Sequence, residues 1–228
     1  IAFIGLGNMG GPMAANLVKA GHIVSGFDLT EASRAAARAN GVDVKTAAAA
    51  AVADAEAVFT MLLNGRLVLN VYAELAAMAR RGALFIDCST IEVNTACEAH
   101  KIAEDHDHRS LDCPVSGGVA GARDGTLTLM AGGSREAFAR AEPLLKPLGE
   151  RILHCGAEGS GQAAKICNNL MLGISMLGVA EAFLLAERLG LSEQVLFDIA
   201  TSKSGISRAL LKYLPVAGPV PSSPANHD

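Results

Sequence analysis

The feature that most constrains this chain is its opening, where the apolar run 1–4 passes directly into Gly5-Leu6-Gly7-Asn8-Met9-Gly10 and a helical pattern follows at 13–20. A strand that turns through G-x-G-x-x-G into a helix is a βα unit whose glycines have separate duties. Gly5 permits the tight turn, Gly7 lets backbone approach a pyrophosphate, and Gly10 lets helix and strand pack closely. The helix start offers unpaired N–H groups and positive potential, and Pro12 suits its first turn. Asp28 closes the second apolar run near the usual distance of about 20 residues, where a carboxylate meets the adenosine ribose hydroxyls and repels a 2′-phosphate. The segment therefore reads as a dinucleotide site for NAD rather than NADP, with Leu6, Asn8 and Met9 in the loop. Taken without its context, the same motif would be a tight turn only.

The rest of the first two-thirds repeats the theme. Apolar runs at 23–28, 57–62 and 84–87 alternate with helical patterns at 31–40, 67–79 and 94–107, which implies an α/β fold with a parallel sheet, a Rossmann dinucleotide-binding domain. The tract 47–53 reads as a short helix because alanine is the best helix former. Strands at 127–131 and 152–155 flank an amphipathic helix at 136–145, so this domain is expected to span 1–157. Beyond it, 161–189 carries no strand signal and no proline, and predicts one long helix ended by Gly190, then a second helix capped by Ser192. Residues 158–228 are expected to begin an all-α domain that is incomplete here, and Ile1 already stands inside an apolar run, so a preceding segment or targeting peptide is expected.

A net charge of -4 and a pI near 5.9 exclude a dedicated nucleic-acid surface. Five cysteines without a C-x-x-C pair, and six histidines without H-E-x-x-H spacing, indicate neither a disulfide framework nor a metal site. His100, His106 and His108 are read as lying on or just after a surface helix. The stretch 166–180 approaches the length of a membrane span but reads as a buried helix, so no membrane partner is expected.

Three loops hold residues with chemistry. Lys165 is the only charged residue between Glu158 and Glu181, and Asn169 follows one turn later on the same face, with Gly161 and Gly173 in the same stripe. An amine there is poised as a base that takes a hydroxyl proton as hydride leaves the same carbon, or it snorkels to the surface. Ser116-Gly117-Gly118, past an apolar strand end, can hold a substrate carboxylate through the hydroxyl and free N–H groups, or form a glycine turn with a capping serine. Leu62, Leu63 and Asn64, and Ser89 with Thr90, follow strands on the same edge and either line the cofactor channel or cap helices.

As a set, these residues resemble the β-hydroxyacid dehydrogenase family, and within it the 3-hydroxyisobutyrate branch. The likeness rests on Gly5 to Gly10 with Pro12-Met13, on Asp87-Cys88-Ser89-Thr90, on Asp112 to Gly118 with Gly121, Gly125 and Thr126, and on Gly159 to Asn169. It implies that Lys165 is the catalytic acid and base, that Ser116, Gly117, Gly118 and Asn169 contact a small 3-hydroxy acid, and that a helical domain completes the cleft. The segment 219–226 is similar to the hydroxyisobutyrate branch, whereas 202–207 lacks the tryptophan usual there. The resemblance implies branched-chain (valine) catabolism, in a bacterial cytoplasm or a mitochondrial matrix. A homodimer or homotetramer is expected from the long apolar helix. The readings set against this one are an NAD(P)H-dependent reductase of tartronate, glyoxylate or succinate semialdehyde, and a non-catalytic cofactor-binding module.

Overall fold

The computed structural model describes residues 1–220, so most of the 219–226 segment lies outside the described residues. Six strands pair in parallel: β1 (Ala2–Ile4), β2 (Ser25–Phe27), β3 (Asp43–Val44), β4 (Ala57–Thr60), β5 (Leu84–Asp87) and β6 (Arg109–Asp112). Their order, β3-β2-β1-β4-β5-β6, reverses direction between β1 and β4, and the carboxyl ends of these strands share one edge. In open α/β sheets ligands bind outside that edge, at the reversal.

Beyond β6 the sheet departs from the parallel arrangement. Strand β7 (Val115–Ser116) and strand β8 (Leu127–Gly132) are antiparallel to one another, and β8 meets β6 antiparallel at Asp112 and Gly132, while β9 (Gly149–Gly156) runs parallel to β8. Strands β6 and β7, two residues apart, both run antiparallel to β8, so the chain turns back between β7 and β8, in the segment 117–126.

Helices cover both faces: α1 (Gly10–Lys19), α2 (Glu31–Ala39), α3 (Ala48–Val52), α4 (Gly65–Leu75), α5 (Val93–Asp105), α6 (Gly118–Asp124) and α7 (Arg135–Leu145). Successive residues of β1 serve opposite cores. Phe3 belongs to one cluster and stacks on Phe59 with ring centroids 5.6 Å apart, whereas Ala2 and Ile4 belong to the other, in which Tyr72 packs on Phe85 at 5.1 Å. Full burial of each ring contributes about 2–3 kcal/mol. Helix α1 stops where expected: Gly21, at φ 91°, donates to the Val18 carbonyl while His22 donates to that of Leu17, the paired bonds of a glycine C-terminal motif.

The chain divides into two compact units, the first Ile1–Lys165 and the second beginning at Ile166, so the division falls within helix α8 (Ser160–Arg188). The second unit also holds α9 (Glu193–Ser202), whose N-terminus Ser192 caps, and α10 (Arg208–Lys212). Its small core gathers Phe183, Leu210, Leu214 and Val220. The reading of 166–180 as a buried helix is corrected: Leu170, Met171, Ile174 and Leu177 are all more than 60% exposed, because the short helices α9 and α10 reach only the Phe183 end. Helix α8 is long and apolar enough to cross a membrane by length and composition.

Candidate active site

The glycine-rich turn has the geometry its sequence requires. Gly5 lies at φ 94°, and a β-carbon there would stand 2.3 Å from the Met61 carbonyl oxygen; one on Gly10 would stand 1.9 Å from that of Gly5. Over Gly7 the space is open, and Gly7 and Asn8 are exposed. Met9 precedes α1 without a capping side chain, and the first turn holds no acid, so the helix keeps its positive end for an anion. These features fit the pyrophosphate of a dinucleotide.

Asp28 binds protein on both oxygens. One accepts from the Leu6 N–H at 2.7 Å and the other from the Thr30 N–H at 2.8 Å, so this carboxylate fixes the glycine turn to the start of α2. The Leu6 side chain is buried and its N–H is committed to Asp28, so it shapes the loop from within.

The next two loops separate into exposed and buried members. Leu63 is exposed, and Asn64 caps α4 by accepting from the Leu67 N–H at 3.0 Å, while Leu62 is half-buried. Thr90 is exposed, but Ser89 is fully buried. The Ser89 hydroxyl donates to Asp87 at 2.6 Å and accepts from the Leu62 N–H at 2.8 Å, which ties the two loops together. Neither residue caps α5, which begins behind Glu92 with no side-chain cap. Burial pushes the Asp87 carboxyl above its ordinary range, opposed by its bonds from Ser89 and Thr60.

Lys165 meets the Ser-Gly-Gly loop. Its amine donates to the Val115 carbonyl at 2.7 Å, one residue before Ser116, and burial lowers its pKa from the usual lysine value. The side chain is half-buried, with its amine on a backbone carbonyl. Ser116 and Gly117 are half-buried and Gly118 is exposed, with both glycines at positive φ, 142° and 65°. Asn169 follows one turn later in α8 and is exposed.

Two residues that hold this arrangement carried no role in the sequence reading. Asp112, buried at the end of β6, accepts from the Gly159 N–H and the Gln162 N–H, both at 2.8 Å, and so anchors the first turn of α8. His100 stands 3.0 Å from the same carboxylate and 2.6 Å from the Ser110 hydroxyl. The surface placement of His100 and His108 is thereby corrected: both are buried, on faces that point at the sheet and at the Ala76 carbonyl. Close approach of α8 depends on Gly161, where a β-carbon would lie 2.3 Å from the Met130 carbonyl oxygen and 2.5 Å from that of Asp112. The available signal was a carboxylate closing a strand, at both Asp87 and Asp112.

Residues 1–156 match the family model for the NAD binding domain of 6-phosphogluconate dehydrogenase, and residues 159–218 match that for the NAD-binding of NADP-dependent 3-hydroxyisobutyrate dehydrogenase. The chain is 53% identical over 228 residues to a probable 3-hydroxyisobutyrate dehydrogenase of Mycobacterium tuberculosis, spanning all of this chain and 78% of that one. It is 42% identical over 231 residues to an NAD-dependent L-serine dehydrogenase of Pseudomonas aeruginosa, again covering 100% of this chain and 78% of the relative. Among solved structures, that of the Mycobacterium tuberculosis 3-hydroxyisobutyrate dehydrogenase with L-serine superposes with a TM-score of 0.95 at 52% identity, covering 100% of this chain and 78% of that one. The chain belongs to the NAD-binding β-hydroxyacid dehydrogenase family, on the side of the 3-hydroxyisobutyrate dehydrogenases.

Proposed function

We propose that this protein oxidises the primary alcohol of 3-hydroxyisobutyrate to the aldehyde of methylmalonate semialdehyde, with Lys165 as general acid and base. The observation that carries the reading is the half-buried Lys165 amine, lowered in pKa by burial and bonded to Val115 beside Ser116-Gly117-Gly118. Bound NAD supplies the hydride acceptor. Gly5, Gly7, Asn8, Met9 and Gly10 hold its pyrophosphate on α1, with Leu6 inside the turn. Asp28 meets the ribose, and the loops of Leu62, Leu63 and Asn64 and of Ser89 and Thr90 border the channel.

The Ser116 hydroxyl and the N–H groups of Gly117 and Gly118 orient the substrate carboxylate, and Asn169 bonds the substrate from the next turn of α8. As a neutral amine Lys165 takes the hydroxyl proton as the C–H bond breaks; as an ammonium it returns a proton to the oxygen in reduction. A low pKa suits this exchange, since both forms are then populated nearer neutral pH. The basic residue after β2, Arg34, pairs with Glu31 at 2.7 Å and donates to the Asp28 carbonyl at 3.0 Å, which supports NAD over NADP.

A second substrate follows from the relatives named for L-serine, which shares with 3-hydroxyisobutyrate a primary hydroxyl one carbon removed from the carboxylate-bearing carbon. The setting we assign is valine catabolism, in the cytoplasm of a bacterium or the mitochondrial matrix of a eukaryote. The exposed apolar residues of α8 favour a homodimer or homotetramer over a membrane partner. The deciding experiment measures NAD reduction by the full-length protein with each hydroxy acid in turn. Turnover of 3-hydroxyisobutyrate at a kcat/KM above that of L-serine supports the assignment, and the reverse order transfers it to L-serine.

A further inference from the structure

We infer that Gln162 is a positioning residue that latches the cofactor-side loops to the helix turn carrying Lys165. The inference rests on the proposed role of Lys165. Gln162 is 0% exposed, and its backbone N–H and its side-chain amide reach the ends of two different strands. Its backbone N–H donates to Asp112 at 2.8 Å, at the end of β6. Its side-chain Nε2 donates to the Ser89 carbonyl at 2.8 Å, and its Oε1 accepts from the Ile91 N–H at 3.1 Å. The Ser89 hydroxyl in turn accepts from the Leu62 N–H.

One amide side chain thus fixes the loop after β5 to α8, and through Ser89 fixes the loop after β4 as well. Lys165 is three residues further along the same helix, so its amine and the two loops are held in one frame. Donor and acceptor are both needed, because the loop presents a carbonyl and an N–H to the same side chain. A methyl-terminated chain of equal length fills the space and restores neither bond. Proton and hydride transfer occur at neighbouring atoms of one substrate, so a small loss of register between amine and cofactor loops is felt mainly in turnover.

The test compares wild type with Gln162→Met and Gln162→Glu in the full-length protein. Steady-state kinetics are read with NAD and 3-hydroxyisobutyrate, and amide hydrogen exchange is read on the protein without cofactor. Gln162→Met is expected to lose about a hundredfold in kcat with KM for NAD held within about threefold, the pattern of lost alignment rather than lost binding. Ile91 should exchange faster. Gln162→Glu keeps the acceptor for Ile91 and loses the donor to Ser89, so its kcat should fall between the two.

Wild-type kcat in Gln162→Met, or unchanged exchange at Ile91, overturns the latch. So does a loss confined to the KM for NAD. Should the methionine variant not fold, Gln162→Glu decides: reduced kcat at unchanged KM supports the latch, and full turnover overturns it. Lys165→Ala measured alongside keeps the two claims separate. Full turnover in that variant removes the role given to the amine, whereas its inactivity beside a fully active Gln162→Met removes the latch alone.

Discussion

The side-chain nitrogen of Lys165 and the backbone oxygen of Val115 are joined by a 2.7 Å hydrogen bond between two segments separated by 50 positions in sequence. Only the lysine donates, so one of its protons stays with the carbonyl whether the amine is charged or neutral. In the proposed role, the proton exchanged with substrate is a different one. The carbonyl also orients the nitrogen, which a long unbranched side chain does not do for itself.

As the proposed acid and base, Lys165 should give the reaction a pH dependence whose sign follows from its burial. Because its folded-state pKa is lowered, the neutral base forms at lower pH than for an exposed lysine. The rate of alcohol oxidation should rise with pH to a midpoint below the ordinary lysine value of 10.5, and that of aldehyde reduction should fall through the same group. Initial rates in both directions over a pH series give the two midpoints. An oxidation rate that is flat across the neutral and alkaline range would remove Lys165 from the proton transfer.

Gly161→Ala should damage stability and turnover together. The added carbon meets two backbone carbonyl oxygens, at 2.3 Å and 2.5 Å, and neither can rotate away as a side chain would. Overpacking of this kind costs about 3 kcal/mol. A chain of this size would melt about 9 °C lower. Gly173→Ala, where nothing beyond the helix's own backbone lies within 4 Å of the added carbon, is the matched control and should melt no lower than wild type.

Asp87→Asn should flatten the dependence of stability on pH. Burial raises the folded-state pKa of Asp87 above 3.8, so between the unfolded and folded values the native state holds a proton that the unfolded chain has released. Stability must then fall as pH rises through that window and stay lower above it. The amide keeps an oxygen for Thr60 and Ser89 and carries no charge to bury. Urea denaturation from pH 4 to 8 compares the variants, and an equal slope in both would show that Asp87 contributes nothing to it.

Much of this was legible in sequence because the informative residues are local. The glycine turn, Asp28 and the lysine helix each declare themselves within a few positions, and glycine C-terminal motifs such as that at Gly21 mark helix ends. Strand direction is not local. Hydrophobic runs at 127–131 and 152–155 announce strands but not that β8 turns back against β6, and two-residue strands such as β3 and β7 are too short for any period. Ser89 and Thr90 look equivalent in a loop; only the packing of β5 beside β4 buries one and exposes the other. Gln162 was invisible for the same reason, since its partners are 71 and 73 positions away.

Asp28→Ala should loosen cofactor binding and selectivity. The substitution frees the Leu6 and Thr30 N–H groups and removes the charge proposed to oppose a 2′-phosphate. Loss of a charge-assisted contact of about 1.5–3 kcal/mol corresponds to an increase of about tenfold or more in the Kd for NAD. Titration calorimetry with NAD and NADP would show the preference narrowing; an unchanged ratio would assign selectivity to another residue.

The central claim is that the Lys165 amine is the acid and base of a dehydrogenase. Its most direct test is absorbance at 340 nm with NAD and 3-hydroxyisobutyrate, for the full-length wild type and for Lys165→Ala, with NAD affinity measured in parallel. The account predicts turnover in the wild type that falls by about a hundredfold or more in the variant while the Kd for NAD stays within about threefold. Wild-type turnover in Lys165→Ala would contradict it.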